Sequence, residues 1–259
     1  MRISNKDARI SPSSEQAIPR IVYSTIRKKY VRKAHFDAID EFRTNNPEYE
    51  FVILDDDEAH DYLRSKFYGE RILDIFERST FGPMRADILR VALMLFEGGV
   101  YIDISKRLQI PLRNTISAQT KFVFAHEHNE IPSNMVIDTD SKLVRNDRNL
   151  IVQWCMMSTA NIPIFSTMVE SIERDSIKYD GITFENPKQA ILELTATYQY
   201  TKAVWKHLLT GSLEFTYAGF DFNESSYVLI PNSYSKNPLN RHYASRKNSG
   251  ILKVGNNKN

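Results

Sequence analysis

Asp87 and Arg90 stand three residues apart in a segment that is otherwise apolar. On a helix that spacing puts both on one face. An acid and a base in apolar surroundings must pair with each other or hold a ligand. Spacing alone leaves a structural ion pair, fixing the helix against its neighbours, as the alternative. Asp103 closes the run Gly98-Gly99-Val100-Tyr101-Ile102, a buried-strand pattern. In open α/β sheets ligands bind outside the carboxyl ends of the strands. A carboxylate placed there can hold Mg²⁺ or Mn²⁺ by hard oxygen coordination, with substrate phosphates completing the shell. It can equally cap a nearby turn. His126, Glu127 and His128 form a second acid–base group. Neighbours on an extended chain alternate faces, so a surface or acceptor-side role is expected for them over a metal triad.

The elements that must position these groups are legible around them. Gly82-Pro83 opens a helix and Gly98-Gly99 ends it, Pro suiting a first turn and Gly a left-handed cap. Between them Met84, Ile88, Val91 and Leu95 form one apolar stripe, widened by Leu89, Leu93 and Phe96, which predicts a buried helix. Residues 21–23 and 51–54 read as strands, and 33–45, 58–66 and 69–78 as helices. Strands alternating with helices predict an α/β layer fold with a largely parallel sheet. Further on, 121–125 and 151–157 read as strands, 163–178 and 187–209 as helices each begun by a proline, and 228–230 as a last strand. The stretch 132–149 is polar and reads as an exposed loop. The aromatics Tyr198, Tyr200, Trp205 and Phe215 to Tyr217 suit a core, although sugars also stack on exposed rings.

Taken together, Arg85-Ala86-Asp87-Ile88-Leu89-Arg90 followed by Gly98-Gly99-Val100-Tyr101-Ile102-Asp103-Ile104-Ser105 resembles the core of the DXD-type sugar transferases, glycosyltransferase family 32 in particular. Asp103 follows Arg90 by 13 positions, as in that pattern. The likeness extends upstream to Ile18-Pro19-Arg20-Ile21-Val22-Tyr23 and to Asn46-Pro47-Glu48-Tyr49-Glu50 with Asp55-Asp56-Asp57. It covers residues 18–245, strongly over 18–112 and loosely beyond.

The resemblance implies a GT-A-like, Rossmann-like α/β fold. It implies transfer of a hexose from a nucleotide sugar, UDP- or GDP-linked, to a glycan or lipid-linked glycan acceptor in surface polysaccharide synthesis. It also implies retention of anomeric configuration by front-face displacement and Mn²⁺ or Mg²⁺ as cofactor. Tyr23 and Ser24 then end the strand that holds the nucleotide, and Tyr101 lies beside it. Asp87 and Arg90 hold donor-sugar hydroxyls, Gln153 faces the sugar, and Asp103 is the first acid of the DXD. His242 closes on the metal and diphosphate, so the implied metal set is Asp103, Ser105 and His242. The chain departs from the pattern at Ser105, where the second acid is expected, and at Thr195-Ala196-Thr197 in place of Thr-Gly-Pro. Arg246-Lys247 stand where an aromatic is usual. These departures keep open a catalytically weak member that binds a nucleotide sugar or glycan, or an enzyme in which Lys106, Arg107, Arg241, Arg246 or Lys247 replaces the ion.

Composition narrows the field. The 259 residues carry 34 basic and 32 acidic side chains, a net charge of +2, which does not favour nucleic acid as a partner. One cysteine, Cys155, excludes an intramolecular disulfide and fits a reducing, cytoplasmic compartment. No apolar run reaches the length of a spanning helix, so any contact with the inner face of a membrane is expected to be peripheral. The expected organisation is a flexible lead over 1–17, one transferase domain over 18–245 and a basic polar tail over 246–259.

Overall fold

The computed structural model describes residues 1–11, 15–133, 135, 137, 148–211, 213–224, 227–229 and 247–254. Its sheet grows outward from β1 (Ile21–Thr25). Helix α1 (Lys33–Asn45) leads to β2 (Glu50–Leu54), which pairs in parallel with β1, Ile21 opposite Glu50. The acidic run after β2 is a capping box. The Asp55 side chain accepts from the Glu58 amide, and Glu58 accepts from the Asp55 amide, which starts α2 (Asp56–Phe67). Helices α3 (Arg71–Arg78) and α4 (Gly82–Phe96) follow, and β3 (Gly99–Ile102) then pairs in parallel with the other side of β1.

The α4–β3 joint shows why two glycines stand there. Both take positive φ, 66° at Gly98 and 90° at Gly99. A Cβ on Gly98 would lie 2.5 Å from the Ala160 amide nitrogen, and one on Gly99 would lie 2.8 Å from the Ile21 carbonyl oxygen. The tight turn drops the chain from a largely buried helix straight into the sheet. Met84, Leu89 and Met94 on α4 are completely buried.

Beyond β3 the sheet is not largely parallel, as the alternation predicts, but mixed. After β4 (Lys106–Leu108), β5 (Phe122–Glu130) runs in the direction of β3. Between them lies the antiparallel β7 (Cys155–Ser158), Gly99 facing Ser158 and Ile102 facing Cys155. The short β6 (Asn149–Ile151) is also antiparallel to β5. The strand expected over 151–157 is therefore interrupted at Val152-Gln153-Trp154, an irregularity of the kind that re-aims side chains beside functional sites. Strand β8 (Thr216–Phe220) adds in parallel to β5, and β9 (Tyr227–Leu229) pairs antiparallel with β4. Strand direction is set by these long-range pairings, and no local pattern of residues encodes it.

Helices α4, α5 (Pro163–Asp175), α6 (Pro187–Leu194) and α7 (Thr197–Leu209) cover one face of the sheet. Tyr200 and Trp205 are fully buried there, as the core reading expects. The segment expected as a single helix over 187–209 breaks at Thr195-Ala196, where both amides bond the Ile191 carbonyl. Alternation within β3 sends Tyr101 to this face, and Val100 and Ile102 to the other, where Phe42 of α1 joins them.

Both ends of the chain correct the expectation of a loose lead and tail, as far as they are described. Ile3 is fully buried, and Lys6 bridges to Phe51 of β2. Ile251 and Leu252 are buried as well. The Thr80 hydroxyl donates to the Gly250 carbonyl at 2.7 Å, and the Lys253 amide to the Arg78 carbonyl at 2.8 Å. The few apolar residues in a polar segment anchor it beside the start of α4. Ile251→Ala should accordingly lower unfolding free energy by about 2–4 kcal/mol in a denaturant titration, as a truncated core side chain does. A loose tail would leave the midpoint unmoved.

Candidate active site

Strand directions gather the carboxyl ends of β1, β2, β3, β5 and β8 on one edge of the sheet, together with the amino end of β7. Asp103 follows β3 there, and its amide donates to the Trp154 carbonyl at 2.8 Å. Arg90 reaches this edge from α4. Its Nη2 lies 3.2 Å from Asp87 Oδ1 and 3.1 Å from Asp103 Oδ1, and its Nη1 donates to the Gln153 carbonyl at 3.0 Å. The Gln153 amide donates to the Thr195 carbonyl at 3.1 Å, and the Thr195 hydroxyl returns to Asp87 Oδ2 at 3.0 Å. The circuit closes on itself. The Tyr101 hydroxyl donates to Asp103 Oδ1 at 3.1 Å, while the guanidinium sits over the Tyr101 ring at 4.9 Å.

Burial sorts the members of this group. The Asp87 and Arg90 side chains are 6% and 8% exposed, whereas Asp103 is 31% exposed. Asp103 is the part that meets solvent, and Arg90 and Asp87 stand behind it. Burial pushes the Asp87 carboxyl up to about 6; the Arg90 guanidinium and Thr195 hydroxyl oppose the rise, and Asp103 adds to it. Burial also holds the Tyr101 phenol well above its usual range, with Arg90 opposing and Asp103 adding, so the ring stays a neutral hydrogen-bond donor.

Asp87, Arg90, Tyr101, Asp103 and Gln153 thus come together from three separate segments. Ser24 lies close by, its hydroxyl donating to the Ile102 carbonyl at 2.7 Å. Tyr23 does not join them. Its phenol is pushed up to about 12 by burial and by Glu97 and Glu50, which stand at the other end of the strands. The nucleotide role expected of Tyr23 is therefore not one that its placement supports: β1 sends this side chain under α4. His242 lies outside the described residues.

Two further groups at this edge carried no signal in their spacing. Trp154 hydrogen-bonds the Asp221 side chain and lies under the Lys106 ammonium, 4.8 Å from the ring centre. Asp221 begins a turn, Asp221 to Glu224, with four positive φ values of 39°, 57°, 64° and 57°. Such a left-handed turn costs energy in L-residues. It is held by the Asp221 amide on the His126 carbonyl and by Phe222, buried against Trp154 at 5.6 Å. Glu127 faces the same mouth, its carboxyl raised first by burial. The group His126-Glu127-His128 separates: His126 is fully buried against Tyr217, and His128 stacks on Phe220 in solvent.

A divalent ion is the cofactor that the DXD resemblance implies. Of its expected ligands, Asp103 already spends Oδ1 on Arg90 and Tyr101, and Ser105 offers only a neutral hydroxyl. Among the described residues no three His, Cys, Asp or Glu side chains cluster as a metal site. The two described members, Asp103 and Ser105, therefore offer one uncommitted carboxylate oxygen and a neutral hydroxyl, a weak pair for a hard divalent cation.

The raised Asp87 carboxyl has a pH consequence. The folded state binds this proton more tightly than the unfolded chain, so stability falls as pH rises from about 4 to about 6 and the loss persists above. Asp87→Asn cannot ionise and escapes that loss. Denaturant titrations near pH 4 and pH 7 should show the variant gaining on the wild type by about 2 kcal/mol between the two. An unchanged gap would mean that Asp87 titrates in the fold as it does in the unfolded chain.

Residues 33–123 match the family described as the glycosyltransferase sugar-binding region containing the DXD motif. A mannosyl phosphorylinositol ceramide synthase of Saccharomyces cerevisiae is 27% identical over 100 residues, 39% of this chain and 25% of that protein. An initiation-specific alpha-1,6-mannosyltransferase of Schizosaccharomyces pombe is 21% identical over 202 residues, 74% of this chain and 49% of that protein. The chain thus spans a quarter to about half the length of these relatives. The solved structure of the PaToxG glycosyltransferase matches with a TM-score of 0.55 at 14% identity, over 75% of this chain and 71% of that one, which shows a GT-A fold. Residues 33–123, the stretch that holds Asp87, Arg90 and Asp103, are thus similar to the DXD-motif glycosyltransferase sugar-binding family.

Proposed function

We propose that this protein transfers a hexose from a nucleoside-diphosphate sugar to a hydroxyl of a glycan or lipid-linked glycan acceptor. The observation that carries this reading is the buried Arg90 guanidinium, locked between Asp87 and Asp103 at the carboxyl edge of the sheet. Both relatives are mannosyl-transferring by name, which supports mannose as the hexose. Surface polysaccharide synthesis at the inner face of a membrane remains the setting that the sequence motivates.

The chemistry asks for orientation and for stabilisation of a leaving anion. Asp103 accepts from a donor hydroxyl at the mouth, and Arg90, buried behind it, holds that carboxylate in place. Asp87 and Thr195 hold the guanidinium in one orientation, so no reorganisation is needed when the donor arrives. Tyr101, neutral and donating to Asp103, fixes that carboxylate in turn. The donor C1–O bond breaks with its electron pair left on the diphosphate oxygen. The acceptor oxygen bonds C1 on the same face, and its proton passes to the released diphosphate, giving retention.

Ser105 in place of an acid supports a second reading, a protein that binds the nucleotide sugar without turning it over. A panel of UDP- and GDP-hexoses, assayed for hydrolysis and for transfer to glycan acceptors, separates the two: binding with neither product leaves only the second. Arg90→Lys keeps the charge but loses the planar fork, so kcat/KM should fall about 100-fold. Asp103→Asn should fall comparably, and its melting temperature should drop as well, because the variant takes one carboxylate from a buried guanidinium. Near-normal turnover with a lowered melting temperature in Arg90→Lys would make the pair purely structural.

A further inference from the structure

A departing diphosphate gathers negative charge, and a transferase must meet that charge with a cation. Arg90 is committed to two carboxylates. Arg107, the neighbouring candidate, is paired with Glu41 of α1. Lys247 lies in the segment that packs against Phe184. Among the described residues Lys106 is a cation that the backbone brings beside Asp103 at the mouth. Its amide donates to the Asp103 carbonyl at 2.8 Å, closing a tight turn that seats residue 106 directly beside the acid. Its ammonium is then held over the Trp154 indole, whose carbonyl accepts from the Asp103 amide. An aromatic face holds an ammonium in place without cancelling its charge. Glu127 and Asp221 face the same ammonium, and Lys106 draws both carboxyls down against the burial that raises them.

We propose that Lys106 is the built-in cation of this site, binding the donor's diphosphate and stabilising it as it leaves, where an acidic residue at position 105 would instead recruit a divalent ion. The inference rests on the nucleotide-sugar reading above. Trp154 is the positioning residue, since it fixes the ammonium through its ring and Asp103 through its carbonyl. Glu127 and Asp221 hold the ammonium at the mouth until a phosphate displaces them.

The test is calorimetric titration of the wild type and of Lys106→Met with UDP and GDP, against UMP and GMP, in EDTA and in Mn²⁺. Wild type should bind one of the diphosphates in EDTA, and Mn²⁺ should tighten it little. Lys106→Met, which keeps the length of the stem, should lose at least about tenfold in diphosphate affinity with little change for the monophosphate, as expected of a lost charge-assisted contact. Lys106→Arg should recover most of the loss. Ser105→Asp added to Lys106→Met should restore diphosphate binding in Mn²⁺ only. Circular dichroism confirms folding, and Lys106→Gln serves if the methionine variant does not fold. If wild type binds a diphosphate only with Mn²⁺, or Lys106→Met binds it as wild type does, the proposal fails and the nucleotide-sugar reading stands. If wild type binds no nucleotide under either condition, both fail.

Discussion

One guanidinium shared by two carboxylates organises this end of the molecule. Arg90 is buried, so its charge is tolerable only because Asp87 and Asp103 flank it and the Gln153 carbonyl accepts from it. Each of those partners comes from a different segment, and each segment is constrained by the others. Asp87 shares the helix, Asp103 ends a strand, and Gln153 sits where a strand leaves its ladder. Thr195 interrupts a helix to reach Asp87. Interruptions that look like defects in isolated elements are thus the geometry that a buried charge demands.

The sheet supplies the other constraint. Parallel strands alone would bring only β1, β2 and β3 to the mouth. The antiparallel β7 brings the Gln153-Trp154 step to the same edge from the opposite direction, and β5 and β8 add Glu127 and Asp221. A mixed sheet therefore furnishes both the ground for Arg90 and the aromatic seat for Lys106.

How much of this was legible follows from which forces are local. The helix over Gly82–Phe96 and the strand after it declared themselves through continuous apolar runs bounded by glycines, and Asp87, Arg90 and Asp103 stood out against that background. Gln153 came from the resemblance alone. Thr195 showed only as part of a departure from Thr-Gly-Pro, and Trp154 and Asp221 were invisible as site residues, because their roles arise from contacts between distant segments, which no periodicity records. Tyr23 misled for a related reason. Its place on the first strand was right, but alternation sends its ring under α4, toward Glu97. The lead and tail misled because one or two apolar residues, Ile3 or Ile251, suffice to anchor a polar segment.

The anchored C-terminal segment sets an order of events for folding. Thr80, two residues before α4, bonds Gly250 across a separation of 170 residues. Closing so large a loop costs chain entropy before any contact repays it, although the cost grows only logarithmically with length. The helix that carries Asp87 and Arg90 therefore gains its last packing partner only when the chain's distant end returns to it. Contacts of such long range slow folding. The helix that carries the arginine is thus completed by a segment that is synthesised long after it.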